Sequence, residues 1–261
     1  MSGISSISGY SYNSYTDYGK FASGKQIQSA ADGAAELTII QNQDAQARGY
    51  EVGADNIAAT KDLLNVADGA MGGITDYLQR MRELAVQASN TAVVSDSDRA
   101  DIQNEVEQLK QGISEIASHT TFNTKNLLDG SNQELNVMHD GSGNTSSVEL
   151  PDAMLQELGI EDFDVTGDFS IEDIDKALEK VSGSRSKVGA QTNALEYAYN
   201  YNKNTGLNTI GSKSKLEDLD IPQAISDMKK NQLLEEYLMY MQKKRMEDEV
   251  NRMSGLFQFN M

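Results

Sequence analysis

Apolar residues recur every seven positions along the stretch from residue 54 to residue 90. One series runs from Ile57 to Ala85, and a second, three residues further on, runs from Thr60 to Ala88. Alternating steps of three and four residues place both series on one side of an α-helix, as in coiled coils. The pattern predicts a helix of roughly 50 Å, at about 1.5 Å per residue, that packs on other helices along its length.

A second helix is predicted directly after the first. Ser95-Asp-Ser-Asp98 has the composition of a capping box, and apolar residues then follow at steps of three and four up to Ile116. Because the link between the helices, Ser89–Ser97, is short and polar, the two helices are predicted to form an antiparallel hairpin.

The C-terminal half predicts two more helices. A third long helix is expected to begin at Ser170, with Gly206, Gly211 and Pro222 interrupting it. A last amphipathic helix is expected from about Gln223. The apolar seam shared by the long helices is predicted to comprise Ile57, Leu64, Met71, Ile74, Leu78, Met81, Ile102, Val106, Leu109, Ile113, Ile174, Leu178, Val181 and Val188.

Between the helical regions the pattern changes to short alternation with turn signals. Leu135-Asn-Val137 and Ser147-Val-Glu-Leu150 flank the turn sequence Asp140-Gly-Ser-Gly143, which predicts a small β-hairpin.

Residues 1–24 are rich in Ser, Gly and Tyr and are expected to be disordered before assembly, with a helix beginning near Ser29. The predicted fold class is mainly α: a long antiparallel coiled-coil-like helical rod with a small β-hairpin.

Composition narrows the possible functions. The 261 residues include 22 Lys and Arg against 40 Asp and Glu, a net charge of −18, which argues against nucleic acid or an anionic membrane as the main partner. The absence of cysteine excludes disulfides and thiolate chemistry, and two histidines leave little room for imidazole chemistry. No nucleophile–base pair is apparent. We therefore predict that the protein is not an enzyme and needs no cofactor.

One loop resembles a metal site only at its start. Asp140, Ser142 and Asn144 alternate as in a calcium loop, but Thr145 stands at the glycine position and Pro151 at the bidentate glutamate position. A hairpin turn is the better interpretation, and no metal site is predicted.

The N-terminal sequence does not read as a secretory signal. Residues 1–10 carry no basic residue and no apolar run. Composition alone leaves a cytoplasmic protein and one exported unfolded through a narrow channel as equal alternatives.

Several sequence blocks resemble bacterial flagellins. The strongest is Leu78-Gln-Arg-Met-Arg-Glu-Leu-Ala-Val-Gln-Ala-Ser-Asn90, close to the hallmark of that family's first long helix. The other similar blocks, in the family's order, are 20–24, 27–35, 102–106, 121–123, 174–178, 185–190 with Asn193, and 214–220. Gln26 departs from the family, which usually has Arg there.

The resemblance implies a structural subunit of the bacterial flagellar filament that self-associates through its terminal helices and serves motility. Residues 1–40 with 213–261 would form the inner-tube, polymerisation region. Residues 41–212 would form the helical rod, with the β-hairpin at about 131–168 and no sizeable outer variable domain. The alternatives are a hook–filament junction protein, or a minor flagellin that needs a second subunit.

The resemblance also implies partners and a location. The partners would be further copies of this chain or other flagellins, a flagellar export chaperone, the export apparatus and the host Toll-like receptor for flagellin. The residues that match the family's receptor contacts are Arg80, Leu84 and Glu105. The protein would be secreted to the flagellum without a cleaved signal peptide.

Two departures from the family bear on assembly. The segment before Ser23 is shorter than usual and Ser/Tyr-rich, and the last helix carries two acidic clusters, Glu235-Glu236 and Glu247-Asp-Glu249. Like charges brought together in a ring of copies repel unless the basic residues of the helix lie between them. We therefore expect slow or salt-sensitive self-assembly.

Overall fold

A computed structural model describes residues 19–258, with side chains as far as residue 253. Residues 19–23 are helical. Helices α1 to α5 cover Ala34–Ala88, Asp96–His119, Leu155–Leu158, Ile171–Glu217 and Ile221–Gln258, and strands β1 to β4 cover Thr121–Phe122, Lys125–Asn126, Glu134–Met138 and Thr145–Glu149. The predicted mainly α fold with a small β-hairpin is confirmed. The expected disorder of residues 1–24 was wrong for residues 19–23, which are helical, and residues 1–18 lie outside the described part of the chain.

The chain divides into two compact units. The terminal unit comprises the described residues of Met1–Asp44 and Thr209–Met261, and the central unit is Ala45–Asn208. Helices α1 and α4 each contribute to both units.

Helix α1 begins five residues later than the sequence suggested, because a tight turn occupies residues 28–32. The Asp32 carboxylate accepts hydrogen bonds from the backbone N–H groups of Gln28 (3.3 Å) and Ser29 (3.0 Å). The N–H of Asp32 itself bonds to the Ser29 carbonyl (3.0 Å). Ser, Asp and Asn side chains that bond nearby backbone groups in this way favour turns over helix. The prediction of a helix starting at Ser29 was therefore wrong.

In the central unit α1 lies antiparallel to both α2 and α4. Towards the C-terminal end of α1, Arg80 pairs with Glu105 of α2 (2.7 Å) and Arg82 pairs with Asp175 of α4 (2.7 Å). Further back along α1, Asp68 pairs with Arg185 of α4 (2.9 Å). As α1 advances, its partners on α4 come from earlier positions, which defines antiparallel packing.

The link between α1 and α2 ends in the predicted capping box. The Ser95 hydroxyl accepts a hydrogen bond from the N–H of Asp98, and the Asp98 carboxylate accepts one from the N–H of Ser95 (2.9 Å). This arrangement satisfies backbone donors that the first turn of α2 leaves without an intrahelical partner.

The core of the central unit runs along the three long helices. Every residue of the predicted seam is buried except Leu109 and Leu178, which are partly buried against the same cluster. Ile160, Phe163 and Val165, which follow the β-hairpin, belong to this cluster too. Packing of this kind, rather than helix propensity, supplies most of the stability of long helices in proteins.

Helix α4 continues without a break through Gly206 and Gly211, so the expected interruption there was wrong. A glycine inside a helix costs about 1 kcal/mol relative to alanine, which the packing of a long helix outweighs. Helix α4 ends at Glu217. Helix α5 then starts at Ile221 rather than Gln223, with Pro222 in its first turn, where a missing N–H is harmless.

The β-hairpin is held against the helices at its tip. Asn202 of α4 donates to the His139 carbonyl oxygen (2.6 Å), and Asn56 of α1 donates to the Met138 carbonyl (3.4 Å). Gly53 makes this approach possible, because a Cβ there would lie 1.6 Å from the His139 carbonyl oxygen. The loop from Asp140 to Asn144 is a hairpin turn, in which the Asp140 carboxylate accepts from the N–H groups of Ser142 and Asn144.

Candidate assembly surface

Helix α5 differs from the other long helices because none of its described large apolar residues is buried and most are exposed. Met239, Met246, Val250 and Met253 lie on one side of the helix, and all four are solvent-exposed. Seven-residue spacing relates the methionines, as in the buried seam of α1. On this helix, however, no second helix among the described residues covers the stripe. Contiguous exposed apolar surface of this kind marks interaction sites.

The middle of α5 carries apolar residues on two sides. Residues 233–241 read Leu-Leu-Glu-Glu-Tyr-Leu-Met-Tyr-Met. At about 100° per residue, six of the seven apolar residues share one broad face, whereas Met239 lies on the other side, between the two glutamates. Leu233, Leu234, Tyr237, Leu238 and Tyr240 are all exposed. A helix that leaves apolar residues exposed on two sides offers contact surface on both of them. The segment therefore needs covering from more than one direction.

The charge of α5 contrasts with that of the whole chain. Between residues 221 and 258 there are six basic and six acidic residues, so this helix is neutral within a chain of net charge −18. Copies of α5 can therefore approach one another without the net repulsion that the rest of the chain would generate. The local clusters, 235–236 and 247–249 acidic and 243–245 basic, can attract or repel according to register.

Backbone and ionic contacts within the terminal unit hold the segment before α1 against the end of α4. The N–H of Gln26 donates to the Glu217 carbonyl (2.7 Å), and the N–H of Leu219 donates to the Gly24 carbonyl (2.9 Å). The buried Glu217 carboxylate pairs with Lys25 (2.5 Å) and Lys213 (3.6 Å), and Lys213 also pairs with Asp44. These ion pairs raise the pKa of Lys213, chiefly through its hydrogen bond to Asp44.

The turn that precedes α1 is organised by one carboxylate. Asp32 accepts a hydrogen bond from the Ser29 hydroxyl (2.9 Å) and pairs with Lys20 (3.2 Å), in addition to its backbone bonds. Together these donors, the Ser29 hydroxyl first, lower the pKa of Asp32 to about 2. The turn and the start of α1 are therefore linked to residues 19–23 by a carboxylate that is ionised at neutral pH.

The residues matched to receptor contacts lie in the central unit and have unequal access to solvent. Arg80 donates from Nε to Glu105 (2.8 Å) and from a terminal nitrogen to Glu83 (3.0 Å), and its side chain is 49% exposed. Both bonds raise the pKa of Arg80. Leu84, by contrast, is 2% exposed and belongs to the core cluster. The structure thus brings Arg80 and Glu105 together on the surface and makes Leu84 a packing residue.

Other kinds of site find no support in the described residues. Across 19–258 no group of three or more His, Asp or Glu side chains is placed to hold a metal ion. Within the same range, no helix is long and apolar enough to cross a membrane. His139 bonds from Nε2 to the Ser146 hydroxyl (2.6 Å), inside the β-hairpin.

Two family models match this sequence. The bacterial flagellin N-terminal helical region matches residues 12–133, and the bacterial flagellin C-terminal helical region matches residues 171–251. The chain belongs to the bacterial flagellin family. Among curated relatives, the flagellin of Bacillus subtilis (strain 168) is 32% identical over 253 residues, covering 82% of this chain and 83% of the relative. A flagellar filament core protein of Brachyspira hyodysenteriae is 32% identical over 239 residues, covering 84% and 83%.

Solved structures agree with this assignment. The crystal structure of Bacillus cereus flagellin superposes with a TM-score of 0.50 at 28% identity, covering 57% of this chain and 88% of that one. A putative flagellar hook-associated protein from Vibrio parahaemolyticus gives a TM-score of 0.57 at 15% identity, covering 72% and 98%. At that identity the second likeness shows a shared fold and nothing about function. The flagellin family is a structural family.

Proposed function

We propose that this flagellin is a structural subunit of the bacterial flagellar filament, and that it self-associates through α5 and the segment before α1. The observation that carries the proposal is the exposed, almost fully apolar stretch of α5 at residues 233–241. Burial of such surface is the main favourable term in protein association. In this proposal residues 1–40 with 213–261 form the polymerisation region and residues 41–212 form the helical rod.

Assembly of purified protein on filament seeds, followed by sedimentation, tests this proposal. Tyr237→Glu places a charge in the middle of the apolar stretch, and we expect it to raise the concentration needed for assembly at least about tenfold. Val93→Glu is the matched control, because Val93 is also exposed but lies in the link between α1 and α2. Equal sedimentation of the two variants and the parent protein would contradict the proposal.

The acidic clusters of α5 favour a second candidate, a minor flagellin that needs another subunit. Glu235-Glu236 and Glu247-Asp-Glu249 repel their equivalents in neighbouring copies unless Lys243, Lys244 and Arg245 interleave with them. If they repel, self-assembly is slow at low salt and improves as the Debye length falls to about 8–10 Å. A sedimentation series across salt concentrations separates the two candidates. Robust filaments of the pure protein at low salt would rule out the second.

We also propose that the Arg80–Glu105 pair contacts the host Toll-like receptor for flagellin. Support comes from the residue types, which match the Arg of the family hallmark and a Glu of the family's second helix, and from the half-exposed position of the pair on the surface of α1 and α2. Leu84 contributes indirectly, because its burial in the core cluster fixes α1. Arg80→Ala should clearly weaken binding of the monomer to the receptor ectodomain. Arg82→Ala is the control, since Arg82 has the same exposure and pairs with Asp175 instead. Equal binding by both variants would refute this assignment.

Export through the hollow flagellum, with the help of an export chaperone and without a cleaved signal peptide, completes the proposed function. It is supported by membership of the flagellin family. Mass spectrometry of the N-terminal peptide from shed filaments tests it. An N-terminus that begins well inside the sequence would show that a signal had been removed.

A further inference from the structure

The methionines of this chain fall into sharply different environments. Met71 and Met81 are 1% and 0% exposed in the core of the central unit. Met239, Met246 and Met253 of α5 are 63%, 62% and 59% exposed. Met138, at the end of β3, is 50% exposed and lies outside α5. Exposure decides which of these thioethers a dissolved oxidant can reach.

We propose that Met239, Met246 and Met253 form an oxidative modification site that controls assembly. They repeat every seven residues, so their sulfur atoms follow one side of α5 at intervals of roughly 10 Å. This is the same side as Val250, within the surface that the proposed function buries between subunits. The inference rests on that proposed function.

The oxidant is a peroxide. With hydrogen peroxide, the thioether sulfur attacks one peroxide oxygen, the O–O bond breaks and an S–O bond forms. The oxygen now bound to sulfur loses its proton, and the other oxygen leaves as hydroxide, which takes up a proton to become water. The sulfur is oxidised by two electrons and the peroxide is reduced by two. The product, methionine sulfoxide, is polar, and a thiol-dependent sulfoxide reductase returns it to methionine with release of water and formation of a disulfide in the reductant.

Oxidation changes the assembly surface in a predictable direction. A flexible apolar side chain becomes one with a strong hydrogen-bond acceptor, and burial of an acceptor without a partner is unfavourable. Three such changes along one stripe oppose the contact between subunits. Assembly in turn shields the sulfur atoms, so filaments should resist an oxidant that inactivates monomers.

Peptide mapping of peroxide-treated monomer tests the site itself. We expect sulfoxide to form at Met138, Met239, Met246 and Met253 well before it forms at Met71 and Met81. In filaments assembled before treatment, Met138 should oxidise as in the monomer, whereas the three α5 methionines should be protected. Oxidation of those three at the same rate in filament and monomer would overturn the proposal.

Assembly on filament seeds tests whether oxidation of these methionines weakens the contact between subunits. Treated monomer, with its helical content intact by circular dichroism, should need at least about a tenfold higher concentration to assemble, and a sulfoxide reductase should restore the original value. The M239L/M246L/M253L variant keeps side-chain volume, and peroxide should change the concentration that it needs for assembly far less than it changes that of the parent protein. The matched control M138L should remain as sensitive as the parent protein.

The outcomes separate this inference from the function on which it rests. If untreated protein does not add to seeds at all, the proposed function fails, while the order of sulfur reactivity in the monomer still tests the exposure of the site. If untreated protein assembles and fully oxidised protein assembles equally well, the function stands and the inference is wrong. Should the leucine variant fail to assemble, reductase rescue of the oxidised parent decides the question.

Discussion

Helices α1 and α5 carry the same kind of apolar repeat with opposite results. On α1 the seven-residue series that contains Leu64, Met71 and Leu78 is completely buried by α2 and α4 within the central unit. On α5 the equally spaced series Met239, Met246 and Met253 remains exposed. A heptad repeat therefore specifies that a helix needs partners, but it does not specify whether the same chain supplies them.

The widest contrast between the two helices is expected in local stability. Residues 50–88 of α1 should exchange their amide protons only at openings that approach global unfolding of the central unit, which are typically about 5–15 kcal/mol. Helix α5 in the monomer has few tertiary contacts and should exchange far faster. Hydrogen exchange monitored by mass spectrometry compares the two directly. Equal protection of α5 and α1 in the monomer would mean that α5 has found a partner within the chain.

Alanine substitutions in the two series test the same contrast between α1 and α5 through the free energy of unfolding. Leu78→Ala should lower the stability of the central unit by about 2–4 kcal/mol, because it leaves a cavity in a packed core. Met246→Ala should change the stability of the monomer by no more than about 0.5 kcal/mol, as expected for an exposed site. Thermal and denaturant unfolding give both values. A similar loss for the two variants would show that α5 is already buried in the monomer.

The close fit between helix and hairpin offers a third comparison within the central unit. Gly53→Ala should lower the free energy of unfolding of the central unit by about 1–3 kcal/mol, since the new Cβ displaces the backbone at His139. Gly189→Ala on α4, where an added Cβ meets no atom within 4 Å, should instead stabilise the helix by about 0.5–1 kcal/mol. Opposite signs in denaturant unfolding would establish that the hairpin tip, not helix propensity, explains Gly53.

The smallest effect on stability is expected in the terminal unit when the pH is lowered. Because the folded pKa of Asp32, about 2, lies below the usual value of 3.8, its ionised form stabilises the turn at any pH above 3.8. That contribution should fade as the pH falls from about 3.8 through about 2. Carboxyl chemical shifts followed by NMR titration give the pKa. Ser29→Ala removes one donor and should move the pKa of Asp32 upwards, and an unchanged value would contradict the hydrogen bond.

Periodicity and local chemistry determined much of this fold. The heptad phase of α1 placed Ile57, Leu64 and Leu78 on one face, and that face is buried. Ser95 and Asp98 marked the start of α2 to within a residue, since a capping box depends only on neighbouring residues. The β-hairpin followed from alternation around a turn-forming loop, and the structure pairs Leu135 with Val148 in it.

Other features depended on contacts that distant residues make. Helix α4 continues through Gly206 because packing along a long helix outweighs a local propensity. The short β1–β2 hairpin escaped prediction because its turn places Asn123 (φ 46°) and Thr124 (φ 67°) in left-handed conformations that sequence associates with glycine. The family match suggested Leu84 as a contact residue, but the helices around it buried it.

The assembly surface shows most clearly which features the sequence determines and which features the tertiary structure decides. The sequence by itself determined that α5 is an amphipathic helix with a methionine stripe, because spacing along a helix is a local property. Only the tertiary structure decided that the stripe of α5 stays exposed while the matching stripe of α1 is buried. Burial is a property of pairs of surfaces, so it is settled when α2 and α4 cover the stripe of α1 and no described element covers the stripe of α5.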